Sequence, residues 1–238
     1  MSIFEHLEEL RSRLLKMLFF TAIGFGVATW KASEIYLYLM KPIVPYLPKD
    51  GAFNYLVPTE VFFTNLKIGI VFGLIGASPF ILYQLWAFIS PGLYGREKRF
   101  AIPITVICAL FFLGGVAFCY FIVLPTLFGF LIQNSESIRP MLTVKESFSF
   151  VLKMLVIFGI FFEIPVFIVA LARLGIVTHK TLRRFWPYAV VAILILSAIL
   201  APDVVTTLLL AGPLFLLYEM SIWFSYLFEP KREDENEE

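Results

Sequence analysis

Long apolar runs dominate the chain, and most of the charged residues lie in the short segments between them. A helix that crosses a hydrocarbon core of about 30 Å needs about 20 apolar residues, and most of the runs meet that length. Only helices and closed barrels pair every backbone group in lipid, and these runs are too long for barrel strands. The pattern therefore predicts an all-α integral membrane protein with six transmembrane helices. The predicted spans are approximately residues 17–40, 61–89, 100–124 (with helix continuing to 132), 148–174, 188–201 and 204–228.

The segment before the first span has its own periodicity. Apolar residues recur at helical spacing on one face, and glutamates fall on the opposite face. We expect residues 1–16 to form an amphipathic helix on the cytoplasmic membrane surface, which turns into the first span after Lys16. Residues 1–228 are predicted to be a single six-helix membrane domain, and the charged tail 229–238 is predicted to be disordered.

Composition excludes a soluble enzyme. The chain is 60% hydrophobic and 16% charged, whereas soluble domains are about 45–50% apolar and about 25% charged. No GxSxG, Walker A or HExxH string occurs, and the two histidines, His6 and His179, lie outside the predicted spans. We therefore predict no enzymatic activity, no metal site, no cofactor and no nucleic-acid partner.

Basic residues are divided unevenly between the segments that flank the spans. The N-terminal segment, the second and fourth connections and the C-terminal tail together carry twelve, whereas the first and third connections carry four. Basic residues are retained on the cytoplasmic side of a membrane. Both termini are therefore predicted to be cytoplasmic.

Two carboxylates on that side form a candidate site. Glu97 lies in the basic connection LYGREKR, and Glu9 lies in the N-terminal helix. Each has a simpler explanation, because Glu97 can pair with a neighbouring basic residue and Glu9 with Arg13 one helical turn away. However, consecutive residues of an extended peptide point in opposite directions, so two arginines in a row would be bound best by two acids on separate elements.

Several motifs resemble those of the TatC family, the largest core subunit of the twin-arginine (Sec-independent) protein translocase. The resemblance covers nearly the whole chain, and its longest matching string also contains Glu97. The motifs are HLEELRSR at 6–13, PTEVFF at 58–63, PFILYQLWAFISPGLYGREKR at 79–99, FGIFFEIPVF at 158–167 and APDVV at 201–205.

The resemblance implies a concave, glove-like bundle in the cytoplasmic (inner) membrane. It implies a receptor that binds twin-arginine signal peptides at the cytoplasmic face, with Glu9 and Glu97 engaging the paired arginines and Phe88 close by. TatA/TatB-type single-span proteins would be its partners in transporting folded proteins, driven by the proton-motive force. Membrane lipid would surround the bundle, and self-association stays open.

A second polar set lies in the later spans. A charged Glu163 facing lipid would cost several kcal/mol, so we expect it to face the concavity or a polar group, with an interhelical hydrogen bond as the simpler role. Together with Asp203 and Thr207, it is predicted to form a surface for partner helices or the translocating chain. The chain departs from the family here, since Ala201 replaces a frequent proline and Thr207 a frequent glutamine.

Other interpretations also remain. A secondary transporter with Glu163 as its coupling residue is the alternative function, although no internal repeat is visible. An intramembrane protease is disfavoured by the absence of histidine from the predicted spans. The fifth span, 188–201, is only about 21 Å long, so it either thins the bilayer locally or packs as a short helix in an ordinary bundle.

Overall fold

The computed structural model describes residues 3–46, 59–93, 101–133, 144–173, 175–201 and 203–228. Within these ranges the chain is helical, apart from turns and a few connecting residues. Its elements are α1 (Ile3–Trp30), α2 (Ala32–Met40), a 3-10 turn (Val44–Tyr46), α3 (Thr59–Leu93), α4 (Ala101–Phe118), a π turn (Cys119–Val123), α5 (Leu124–Gln133), α6 (Val144–Arg173), α7 (His179–Arg184), α8 (Trp186–Leu200) and α9 (Val204–Phe228).

The prediction of an all-helical protein with six spans is confirmed. Five helical segments in the described ranges are long and apolar enough to cross a membrane, and α8 is a shorter apolar helix. The third segment continues from α4 through the π turn into α5, as the sequence predicts. Glu97 and the tail 229–238 lie outside the described residues.

The first span differs from its prediction. The helix α1 runs without interruption from Ile3 to Trp30, so the turn expected after Lys16 does not occur. The residues around that point include neither glycine nor proline and are mostly good helix formers. The interruption comes instead at Lys31, and α2 follows it. The amphipathic segment and residues 17–30 of the predicted first span are therefore one continuous helix.

The chain divides into two compact units, residues 1–159 and 160–238. The first unit is organised around an antiparallel pair, α1 and α3, because residues late in α1 contact residues early in α3. A methyl group added to Gly24 would lie 2.6 Å from the Gly73 carbonyl oxygen, and one added to Gly73 would lie 2.6 Å from the Phe25 backbone nitrogen. The two backbones therefore touch without intervening side chains, as is common between membrane helices.

Polar side chains connect other helices of the first unit. The Lys67 ammonium donates to the Ser149 hydroxyl at 2.7 Å, and the Trp86 indole N–H donates to the Cys108 sulfur at 2.9 Å. In the second case both side chains are buried. These bonds join α3 to α6 and to α4. Together with the close contact to α1, they connect α3 to three neighbouring helices.

The second unit consists of the end of α6, the short helix α7 and the hairpin of α8 and α9. Gly175 has a φ of +70°, a conformation that glycine adopts without steric cost. Its N–H donates to the Ala172 carbonyl, and the Ile176 N–H donates to the Leu171 carbonyl, at 2.9 and 3.1 Å. This hydrogen-bond pattern ends α6 in a Schellman motif.

Candidate functional site

One end of the α1–α3 pair carries a cluster of polar and aromatic side chains, which we call the rim. Arg13 donates from Nε and Nη2 to Oε1 of Glu9, at 3.0 and 2.6 Å. Its Nη1 also donates to the Gln84 side-chain oxygen at 3.3 Å. Arg13 therefore links the Glu9 carboxylate on its own helix to an amide on α3.

The Glu9–Arg13 pair is not an ordinary surface ion pair. Its side chains are only 24% and 19% exposed, respectively. Both contacts from Arg13 use Oε1, and within the described part of the chain Oε2 of Glu9 accepts no hydrogen bond. Arg13 thus fixes the orientation of the carboxylate through one of its two oxygens.

A ring contact joins the same two helices at the rim. The His6 and Phe88 rings stack with their centroids 4.5 Å apart and their planes 21° from parallel. His6 lies one turn before Glu9 on α1, and Phe88 lies one turn after Gln84 on α3. The structure therefore brings Glu9 and Phe88 to the same end of the helix pair. Glu97, the second acid of the predicted site, lies outside the described residues.

Sequence reasoning missed Gln84 and the glycines that bring α1 and α3 together. Gln84 lies inside the long family-like string, but nothing in its local sequence indicates that it faces Arg13. The glycines did leave a signal, because Gly69 and Gly73 form a GxxxG spacing, which is typical of helix contacts in membranes. A methyl group on Gly69 would clash with the Thr29 hydroxyl.

The predicted polar residues of the second unit have different surroundings. Asp203 caps α9, accepting from the Thr206 N–H at 2.9 Å and from the Thr206 hydroxyl at 2.6 Å. These two bonds, the hydroxyl bond foremost, lower the pKa of Asp203 from its ordinary value. The Thr207 hydroxyl donates to the Asp203 carbonyl at 2.8 Å. Glu163 is half-buried in α6, two residues before Pro165.

A further polar cluster, which the sequence analysis did not identify, joins α7 and α8 to α9. Glu219 accepts from Arg183 Nη1 through both oxygens at 2.8 Å and from the Trp186 indole at 2.7 Å. Arg183 is 64% exposed and Glu219 is 42% exposed. Such an exposed pair contributes about 0–1 kcal/mol. In the part of the chain that the structure covers, no group of three or more metal-ligating side chains is suited to hold an ion.

Comparison with known proteins gives the same assignment at three levels. The family model described as Sec-independent protein translocase protein (TatC) matches residues 5–213. The Sec-independent protein translocase protein TatC of Aquifex aeolicus is 41% identical over 237 residues, which cover 98% of this chain and 98% of that protein. The protein of the same name from Koribacter versatilis is 40% identical over 236 residues, covering 97% of this chain and 87% of the relative.

The fold agrees with a solved structure. A crystal structure of the twin arginine translocase receptor TatC superposes with a TM-score of 0.85 at 42% sequence identity, covering 92% of this chain and 97% of that one. The family-model match extends over the first five spans and into the sixth, and it includes the helices that carry the rim. The chain therefore belongs to the TatC family of Sec-independent protein translocase proteins.

Proposed function

We propose that this protein is the receptor for twin-arginine signal peptides, with the rim and Glu97 as its binding site. The protein sits in the cytoplasmic membrane with both termini in the cytoplasm, the orientation that its basic residues favour. With TatA/TatB-type single-span partners, it passes folded proteins across that membrane, using the proton-motive force. The rim geometry is the observation that carries the proposal.

The carboxylate of Glu9 has the arrangement that a visiting guanidinium requires. Arg13 holds one oxygen of Glu9 and leaves Oε2 open among the described residues. A peptide arginine can approach Oε2, while Arg13 keeps the carboxylate oriented and retains its contact with Gln84. Arg13 is thus a positioning residue, because it acts on the peptide through Glu9.

Chain length limits the distance between Glu97 and the end of α3 that carries Phe88. Glu97 is four positions after Leu93, the last residue of α3, and four residues of extended chain reach at most about 14 Å. In this proposal, Glu97 takes the second arginine from the opposite side of an extended peptide. Phe88, half-buried and stacked on His6, supplies an apolar surface beside the pair.

Glu163, Thr207 and Asp203 are proposed to serve partner helices or the translocating chain. The Asp203 carboxylate and the Thr207 hydroxyl already bond within the start of α9, so the contribution of these two residues is to shape that end of the helix. Glu163 is the member of the set with a carboxylate inside a span. As part of a protein translocase, it is better suited to a polypeptide contact than to coupling of a small solute.

A binding assay with a labelled signal peptide tests the proposal. Removing one charge-assisted interaction costs about 1.5–3 kcal/mol, so Glu9→Gln and Glu97→Gln should each weaken binding about 10- to 100-fold. Replacing the two peptide arginines with lysines should weaken binding similarly, because lysine makes no bidentate contact.

The matched control is Glu8→Gln, which removes an exposed carboxylate from the neighbouring position of α1. This variant should bind the peptide as the unaltered protein does. Equal affinity for the two-arginine and two-lysine peptides would refute the proposal, as would equal losses in the Glu8 and Glu9 variants.

A further inference from the structure

A groove on the first unit lies away from the rim, beside the part of α1 that follows Phe20. It is lined by α1, α2 and α3 and encloses about 380 Å³. Gly24, Ala28 and Gly76 line it without long side chains, and the stacked rings of Phe20 and Phe80, 4.4 Å apart, border it at one end. Its walls are therefore almost entirely apolar.

The length of the groove matches one leaflet of a bilayer. Lys31 lines the end opposite the phenylalanine stack. The distance from Phe20 to Lys31 along α1 is about 16 Å at about 1.5 Å per residue. Half of a hydrocarbon core measures about 15 Å. A groove of this length fits an acyl chain, whereas a transmembrane helix would need a contact surface along the whole core.

The end of the groove at Lys31 has paired charges of opposite sign. Lys31 Nζ lies 2.6 Å from Glu34 Oε1, and both side chains are exposed, at 47% and 71%. The neighbouring Trp30 ring is 83% exposed and lies 5.5 Å from the Lys31 ammonium. Tryptophan and lysine at the end of a membrane helix are typical of the lipid headgroup level.

We infer that this groove holds one acyl chain of a zwitterionic phospholipid with an ethanolamine headgroup, its phosphate on Lys31 and its ammonium on Glu34. Lipid tails are as apolar as the groove, so the hydrophobic effect gives no preference for binding there. Selectivity must come from shape and from the headgroup. A purely anionic headgroup would meet Lys31 favourably but Glu34 unfavourably, whereas phosphoethanolamine complements both charges.

The test uses the full chain reconstituted in vesicles that contain equal amounts of phosphatidylethanolamine and phosphatidylglycerol. After mild detergent extraction, native mass spectrometry counts the lipids that remain bound. The unaltered protein should retain the ethanolamine lipid about fivefold over the glycerol lipid, as expected from a single favourable charge pair. Glu34→Gln should abolish this preference, and Lys31→Gln should lower the retention of both lipids.

Two glycine variants test whether the retained lipid lies in the groove or elsewhere on the surface. A Cβ atom at Gly76 or at Gly26 would meet no neighbouring atom within 4 Å, but of the two positions only Gly76 lines the groove. Gly76→Leu should therefore reduce bound lipid to background, while Gly26→Leu retains it.

Three results would overturn the inference. They are equal lipid retention in the two leucine variants, a preference for the glycerol lipid, and capture of a polypeptide by a photo-crosslinker placed at Ile23. None of the groove residues belongs to the rim. The peptide-binding assay can therefore refute the proposed function while lipid retention is still observed, and the reverse also holds.

Discussion

The α1–α3 pair differs from α8, the first helix of the α8–α9 hairpin, in length relative to the membrane core. The helix α1 has 28 residues and α3 has 35, so they are about 42 Å and about 52 Å long, well beyond a core of about 30 Å. The helix α8 has 15 residues and is about 22 Å long, which is shorter than the core. The excess length of α1 and α3 allows their polar ends to lie outside the hydrocarbon.

The rim and the start of α9 also differ in what their polar groups contact. At the rim, Arg13 and His6 of α1 contact Gln84 and Phe88 of α3, so polar and aromatic side chains join two helices. At the start of α9, by contrast, Asp203 bonds to residues three and four positions later in the same helix.

The difference indicates which of the two regions can bind a ligand. At the start of α9, the Asp203 carboxylate is already bonded to the N–H and the hydroxyl of Thr206, so a ligand would have to replace those bonds. At the rim, Arg13 links the Glu9 carboxylate to α3, and glycine contacts farther along the same two helices set their spacing. The rim geometry therefore depends on packing far from the charges, and the helix contact is the first place to test.

The largest effect is expected from Gly73→Ala. The added methyl group would lie 2.6 Å from the Phe25 backbone, and a backbone atom cannot move aside as a side chain does. We expect the free energy of unfolding to fall by about 1–3 kcal/mol, with weaker peptide binding because α1 and α3 separate. Unfolding in detergent micelles, followed by circular dichroism, measures the loss.

Two alanine variants are the matched controls for this helix contact. A Cβ atom at Gly76 in α3 or at Gly212 in α9 would meet no neighbouring atom within 4 Å. Both alanine variants should be stabilised by about 0.5–1 kcal/mol, the usual gain of alanine over glycine in a helix. If Gly73→Ala behaved like these two, the close packing of α1 and α3 would not set the rim geometry.

The number of spans could be predicted from sequence because it follows from the lengths of apolar runs. The continuity of α1 past Lys16 could not, because an amphipathic segment can lie along a membrane or continue straight into a span. The contact between Arg13 and Gln84 favours the straight helix, and it joins residues 71 positions apart in sequence. Likewise, the spacing of Gly69 and Gly73 marks a helix contact but does not reveal that Gly24 is the partner.

Bilayer thickness should affect α8 more than the long helices α1 and α3. A long helix adapts to a thin bilayer by tilting, whereas a short helix such as α8 must thin the bilayer or bury its ends. Lipids whose core is about 4 Å thinner should raise the free energy of unfolding by about 1–2 kcal/mol. Unfolding of the protein in a series of lipids of increasing chain length measures this dependence. Stability that rises with thickness would exclude the alternative in which the fifth span thins the bilayer and would favour a short helix packed in an ordinary bundle.

Substitutions of Gln84 test how Arg13 divides its hydrogen bonds between Glu9 and Gln84. Gln84→Leu removes the acceptor on α3, which leaves Arg13 to pair fully with Glu9 and to compete with a visiting arginine. We expect the peptide dissociation constant to rise about two- to fivefold, as for loss of one weak hydrogen bond. Gln84→Glu keeps an acceptor for Arg13 and should bind at least as tightly as the unaltered protein. Peptide titrations at two salt concentrations distinguish this effect from long-range attraction, and weaker binding by Gln84→Glu would contradict it.

The smallest effect is expected from substitutions of Asp203, which caps α9 through hydrogen bonds whose strength depends on pH. The Thr206 hydroxyl and N–H lower the pKa of Asp203, so the ionised carboxylate stabilises the folded state. That contribution is complete above the unfolded-state value of about 3.9 and is lost as pH falls through the lower, folded-state pKa. Asp203→Ala should therefore lower the Tm by about 2 °C at neutral pH, and the difference from the unaltered protein should shrink below about pH 4. Asp203→Asn keeps an acceptor and should lose less. A Tm difference that stays constant down to pH values well below that range would mean that the charge of Asp203 contributes nothing, and that the α8–α9 connection depends on chain geometry alone.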